Sequence, residues 1–153
     1  MSKSNTYETQ ILALLLNATP IANVADNAAS APLTQLFIAW HTADPGEGGT
    51  QATNEATFTG ITRTAIARNN GAPAWTISSP GGVGTAQNTS PITGPTYTAG
   101  AGVAQTLTFF SVGAASSGAS EIFYSGLLAN GGIIMNPGET IDIAANAITE
   151  TED

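Results

Sequence analysis

Gln35-Leu36-Phe37-Ile38-Ala39-Trp40-His41-Thr42, followed by Ala43-Asp44-Pro45-Gly46-Glu47-Gly48-Gly49, decides how this chain folds. Leu36–Trp40 and Thr42 are β-branched, aromatic and apolar types that suit an extended, buried segment. Asp-Pro-Gly and the paired glycines behind them are turn chemistry. A strand ending in a turn is therefore expected over residues 35–49. The same rhythm returns downstream. Ala56–Arg68 alternates, with Phe58, Ile61, Ala65 and Ala67 expected to face a core and Gly60 to bend the strand. Further short strands are expected at Ala74–Ser78, Thr106–Val112, Glu121–Leu128, Gly132–Met135, Thr140–Ile143 and Asn146–Thr151. Ser117-Gly118, Asn130-Gly131-Gly132 and Asn136-Pro137-Gly138 mark turns between them. Residues 79–103, rich in Gly, Pro, Thr and Ser, are expected to form a long extended loop.

Upstream of residue 35 the period changes. Tyr7, Ile11, Leu14 and Leu15 fall at helical spacing, with Leu12 and Leu16 widening the stripe. A helix over 6–17 is expected, capped by Thr6 and ended by Asn17 and Pro20. It can pack on its own domain or serve as an arm docking on a neighbour. The expected architecture is mainly β: a single β-sandwich, jelly-roll-like, with a short N-terminal helix. Residues 1–34 form the helix and connector, and 35–153 the sandwich with its long loop at 79–103.

Composition narrows the function. The chain has 153 residues and 42% apolar content, enough to bury a core. Charged residues are 9%, against about 25% in an average soluble protein. The net charge is −8 and the cations are Lys3, Arg63 and Arg68. No basic footprint is available for phosphate, so nucleic-acid binding is not expected, and an anionic membrane surface would repel the chain. The longest apolar run, Ile11–Leu16, is far too short to span a bilayer. The N-terminal residues lack a signal-peptide pattern, so the protein is expected to stay in the cytoplasm of the cell that makes it until released.

Chemistry has little to work with. His41 is the single histidine, and no serine lies in a nucleophile-elbow motif. Asp44, Glu47 and Glu55 cluster near His41 and are weak candidates for a divalent cation, but their spacing fits no EF-hand loop. Gly81-Gly82-Val83-Gly84 lacks the Lys-Ser/Thr of a phosphate loop. No enzyme activity, metal or other cofactor is expected. Arg63 and Arg68, as rare cations, are candidates for contacts with a neighbouring chain. With them the interface candidates are Tyr7, Ile11, Leu12, Leu15, His41, Ile92 and Tyr97.

Leu36 to Gly46 (LFIAWHTADPG) resembles the opening strand of a large family of small bacteriophage virion proteins. Asn54-Glu55, Thr59-Gly60-Ile61 with Arg63, Ala65–Arg68, Trp75, Tyr124-Ser125-Gly126 and Pro137-Gly138-Glu139-Thr140 continue the likeness. Residues 79–103 look longer than usual, and Ile61 stands where an aromatic is frequent. The resemblance implies a virion structural protein. The leading expectation is a capsid decoration or cement protein. It would sit on the exterior of the head, bridge copies of the major capsid protein, and itself form a homo-oligomer, with a trimer favoured. The alternative is a tail-fibre or baseplate-associated protein. A carbohydrate-binding or hydrolytic virion protein is the third reading; aromatics of only 7% speak against it.

Overall fold

The computed structural model describes residues 4–21, 33–68, 75–98 and 103–152. In chain order these form α1 (Asn5–Asn17), β1 (Gln35–His41), β2 (Thr64–Ala67), β3 (Trp75–Ser78), β4 (Gly84–Asn88), β5 (Ile92–Thr96), β6 (Gln105–Leu107), β7 (Phe109–Gly113), β8 (Ile122–Leu127), β9 (Ile133–Met135), β10 (Thr140–Ile143) and β11 (Thr149–Glu152). The chain is mainly β, with several antiparallel sheets and one short N-terminal helix. It divides into two compact units. The first contains 1–35, 66–92 and 143–153; the second contains 36–65 and 93–142. No described helix is long and apolar enough to cross a membrane.

In the first unit the sheet order is β11-β4-β3, both pairings antiparallel. Helix α1 packs on β3 and β4 and touches β11. Its buried face is Glu8, Leu12 and Leu16, spaced four residues apart. Gly84 lets helix and strand approach. A Cβ there would lie 2.7 Å from the Glu8 Cβ and 3.0 Å from its carbonyl carbon. The Glu8 carboxylate in turn accepts the Gly84 N–H at 3.2 Å.

The helix begins two residues earlier than Thr6 implies. Ser4 is the N-cap, extended at φ −84°, and its hydroxyl accepts the Tyr7 N–H at 3.3 Å. At the other end Ala18 adopts φ 52°, ψ 25°, and the Thr19 N–H donates to Ala13 O, closing the helix end. A left-handed alanine is strained where glycine is not. Ala18→Gly should raise stability by about 1 kcal/mol, read as an upward shift of the urea midpoint.

The expectation of a long extended loop at 79–103 is wrong over its described residues. They contain a 3-10 turn at Pro80–Gly82 and the strands β4 and β5. Strand β4 is the centre of its sheet. Its residues Gly84, Thr85 and Ala86 read as loop because they are small, but smallness is what a helix packed on the strand requires. The remaining part of that segment, 99–102, lies outside the described residues, as do Lys3, most of the expected connector (22–32) and Asp153.

The largest sheet runs β2-β1-β7-β8, and two-stranded sheets pair β10 with β5 and β6 with β9. Strand β1 pairs with β7 from Phe37↔Gly113 to His41↔Phe109. Leu36, Ile38, Ala39, Trp40 and His41 are all at most 1% exposed. Both faces of this strand are therefore covered, which is why it reads as a continuous apolar run rather than an alternation. The Trp40 indole N–H donates to Thr64 Oγ1 at 3.3 Å. Phe58 and Tyr97, both buried, stack with centroids 4.9 Å apart.

Two further expectations need correction. Ala56–Arg68 is not one strand; only Thr64–Ala67 is extended and paired. Gly60 sits at φ +94°, and a Cβ there would lie 2.5 Å from Thr96 O. The chain must turn at this point, so the alternation around it marks burial in a loop. Thr106–Val112 is split into β6 and β7 at Thr108. That residue bonds out of line, its N–H to His41 O and its hydroxyl to Thr42 O.

Candidate functional site

The loop after β1 carries most of the charge that the sequence singles out. It leaves the sheet at His41 and returns beside it. Thr42 N–H donates to Asn54 O, Ala56 N–H donates to Trp40 O, and Glu55 forms an isolated antiparallel bridge with His41. This doubling back brings Glu55 to the end of the sheet, where Arg63 meets it.

Arg63, 7% exposed, uses all five of its N–H donors. Nε and one terminal nitrogen grip the Glu55 carboxylate at 2.7 and 2.9 Å. The same terminal nitrogen reaches Gly118 O at 2.6 Å, and the other reaches Gln51 Oε1 at 3.3 Å and Ala115 O at 3.0 Å. A bidentate fork with every donor occupied is the strongest use of a guanidinium. Gln51, fully buried, passes the network on by donating to Phe37 O at 2.9 Å, and its own N–H bonds Ser120 O. One cation thus ties the 43–63 loop to the β7–β8 connection and to β1.

His41 is fully buried. Its Nδ1 lies 2.9 Å from Thr53 O and its Nε2 2.8 Å from Ser111 Oγ. A carbonyl only accepts, so Nδ1 carries the proton and the Ser111 hydroxyl donates to Nε2. Burial pushes the imidazole pKa down; the bond to Thr53 O and the charge of Glu55 pull against it, and Arg63 adds to the lowering. The ring is neutral in the fold and takes up its proton more readily when unfolded. Stability from this group is thus complete above about 6.5, the ordinary histidine value, and is lost as pH falls from there through the folded-state value. Melting temperature against pH should show this acid-side loss, and His41→Gln should remove it.

Ser111 and His41 have the atoms of a nucleophile and its base, but Ser111 is also fully buried. Neither lines the half-open cleft of about 260 Å³ that Glu55 and Arg63 border with Ile61, Thr62, Ser116 and Ser117. With the Arg63 donors all engaged, the cleft offers hydroxyls and carboxylate oxygen rather than an anion site.

The other expected site residues separate. Asp44 turns inward on its own loop and accepts the Gly46 N–H at 2.8 Å; Glu47 is exposed. Of the acidic trio only Glu55 joins the network, and among the described residues no group of three His, Cys, Asp or Glu is placed to hold a metal. Ile92 and Tyr97 are buried, and the Tyr97 hydroxyl donates to Val103 O at 3.1 Å. On α1, Leu12 is buried, Ile11 and Leu15 are half-buried, and Tyr7 is 43% exposed.

Arg68, 9% exposed, sits at the C-terminal end of α1. It donates to Leu14 O at 2.7 Å, to Leu15 O, and to Leu33 O at 3.2 Å. These helix carbonyls have no intrahelical partner, and the last turn of α1 holds no basic residue of its own. Burial lowers the Arg68 pKa, yet an arginine stays protonated. Gln51, Ser111 and the receiving carbonyls were not readable in advance, since a Gln, a Ser and a backbone oxygen carry no sequence signature.

Both arginines thus hold groups of their own chain, Arg63 with all five donors and Arg68 with three hydrogen bonds. Among the described residues the exposed charges, Asp44, Glu47, Glu121, Glu139 and Asp142, are all negative. Residues 2–151 match the family model described as Podophage GP4 fiber I protein gp80. No curated protein matches the chain.

Proposed function

We propose that this chain, which belongs to the podophage GP4 fiber I protein gp80 family, is a structural component of the phage tail fibre or its attachment. The family is one of phage virion structural proteins, and its members are located in the virion. The observation that carries the fibre reading is the match over residues 2–151. It favours the tail-fibre alternative over capsid cement on the head exterior, which was the leading expectation from sequence.

The physical character of the chain supports a role without catalysis. Its one Ser–His pair is sealed from solvent, and its arginines lock loops and a helix end in place. Its described surface is short of charge, and what charge it shows is of one sign, which suits packing against other protein. Partners are then other virion proteins and further copies of itself.

Cryo-electron microscopy of the intact particle tests the reading. Density for this chain at the tail, in a few copies per particle, is the expected result. Density spread over the head lattice at the copy number of the major capsid protein would sink the fibre reading.

A further inference from the structure

We propose that Asn130-Gly131 is a site of self-modification, at which the Asn130 amide is lost and an isoaspartate forms that loosens strand β9. The turn around this pair joins β8 to β9. Asn130 adopts φ 58°, ψ 28°, Gly131 has φ +80°, and the Gly132 N–H donates to Ala129 O at 3.1 Å. Two successive left-handed residues are what Asn-Gly supplies best in a tight turn. The pair that suits this backbone is also a chemically labile one, since asparagine is a thermolabile residue.

The reaction needs only water. The Gly131 nitrogen gives up its proton and bonds to the Asn130 Cγ. The Cγ–Nδ2 bond breaks, and Nδ2 departs with that proton as ammonia. Water then opens the cyclic imide. Breaking its bond from Cγ to nitrogen leaves aspartate. Breaking its bond from the main-chain carbonyl carbon leaves isoaspartate, whose backbone runs through the former side chain.

Three observations single out this position. Asn130 and Gly131 are exposed, so water reaches the imide. The Asn130 side chain has no hydrogen-bond partner among the described residues. A Cβ on Gly131 would meet nothing within 4 Å, so space is open beside the attacking nitrogen, and glycine itself puts no side chain there. The other asparagines whose side chains are described lack at least one of these. Asn17, Asn54 and Asn88 donate through Nδ2 to backbone carbonyls, which holds the amide in place. Asn136 is bonded to Glu139 and precedes Pro137, whose nitrogen has no proton to give. Asn146 precedes Ala147, whose Cβ stands beside the nitrogen.

The product does not fit the turn as asparagine does. Gly132 packs so closely that a Cβ on it would collide with Leu107 O, and Leu107 pairs with Ile133. An isoaspartate lengthens the backbone by a methylene just ahead of that pair, and β9 loses its register with β6. The reaction also adds a negative charge to a chain of −8. Because the attacking nitrogen must lose its proton, the reaction quickens as pH rises. None of this rests on the fibre reading.

Storage of the full chain at mildly alkaline pH, then digestion at glutamate and mass spectrometry, tests the proposal. Cleavage after Glu121 and Glu139 releases residues 122–139, which contain Asn130 and Asn136, and leaves Asn70-Gly71 apart in residues 56–121. Residues 122–139 should gain the mass that replacing an amino group by a hydroxyl brings, at Asn130, before the other described asparagines react. Enzymatic methylation of the isoaspartyl carboxyl should label the product. Asn130→Gly, which keeps a left-handed turn residue without an amide, should leave the peptide unchanged. The isoaspartyl form should exchange its amide hydrogens faster at Ile133–Met135. Asn130→Asp, which carries the charge without the longer backbone, should not. A peptide 122–139 that keeps its mass for as long as the chain stays folded would overturn the proposal. So would a gain at Asn136, a product without isoaspartate, or unchanged exchange in β9.

Discussion

Arg63→Ala should destabilise the protein by about 3 kcal/mol, a large part of the roughly 5–15 kcal/mol that holds a domain of this size. The loss is not that of one ion pair. Removing the guanidinium leaves the Glu55 carboxylate, Gln51 Oε1 and the carbonyls of Ala115 and Gly118 without their donor. Water can reach only part of this. The Glu55 side chain is 25% exposed, which softens the penalty, but that of Arg63 is only 2% exposed. Arg63→Lys should recover only a minority of the loss, because a single ammonium cannot grip both carboxylate oxygens and still reach three other acceptors. Urea unfolding of Arg63→Ala, Glu55→Gln and the double variant tests the argument. The double variant should lose clearly less than the sum of the singles, since each single breaks the same fork. Strict additivity would mean that Arg63 and Glu55 do not act as a unit.

Arg68→Ala should cost a similar amount, about 3 kcal/mol, but act in a different place. Its target is the C-terminal turn of α1, where Leu14 O and Leu15 O lose a charged donor and Leu33 O loses its tie. Helix ends fray when such carbonyls are left without partners. Amide hydrogen exchange should therefore quicken in the last turns of α1 while protection in β7 and β8, which belong to the other unit, stays as it was. Arg63→Ala should give the reverse pattern, with faster exchange around residues 50–63 and 115–120. Uniform loss of protection in both variants would show that the arginines do not serve local tasks.

The two arginines also show where sequence reading stops. Cations are so scarce in the sequence that both arginines stand out as candidates for interchain contacts. Each instead serves its own chain. A sequence in which nearly every charge is acidic says that two arginines matter; it does not say that a helix beginning at Ser4 will end beside Arg68, or that a loop will bring Glu55 within reach of Arg63. Those meetings span 54 and 8 residues, and only the path of the chain creates them. The same holds for His41. Its solitude was visible, but the carbonyl of Thr53 and the hydroxyl of Ser111 that hold it neutral come from a loop and a neighbouring strand.

By itself the sequence determined the mainly β class, the helix at the start, and strand β1 with the turn behind it. These rest on local physics: side-chain period, β-branched and aromatic content, and the backbone demands of Asp-Pro-Gly. It misread β4 as loop and 56–68 as strand for the same reason. Small residues favour loops unless a helix packs on them, and alternation signals burial without saying whether the buried segment is paired. Tertiary structure alone decided that Gly84 lies under Glu8 in a central strand, that Gly60 turns the chain, and that all five Arg63 donors are spent inside the protein. Each depends on which distant groups are brought together, and that is settled by packing rather than by any residue's own preference.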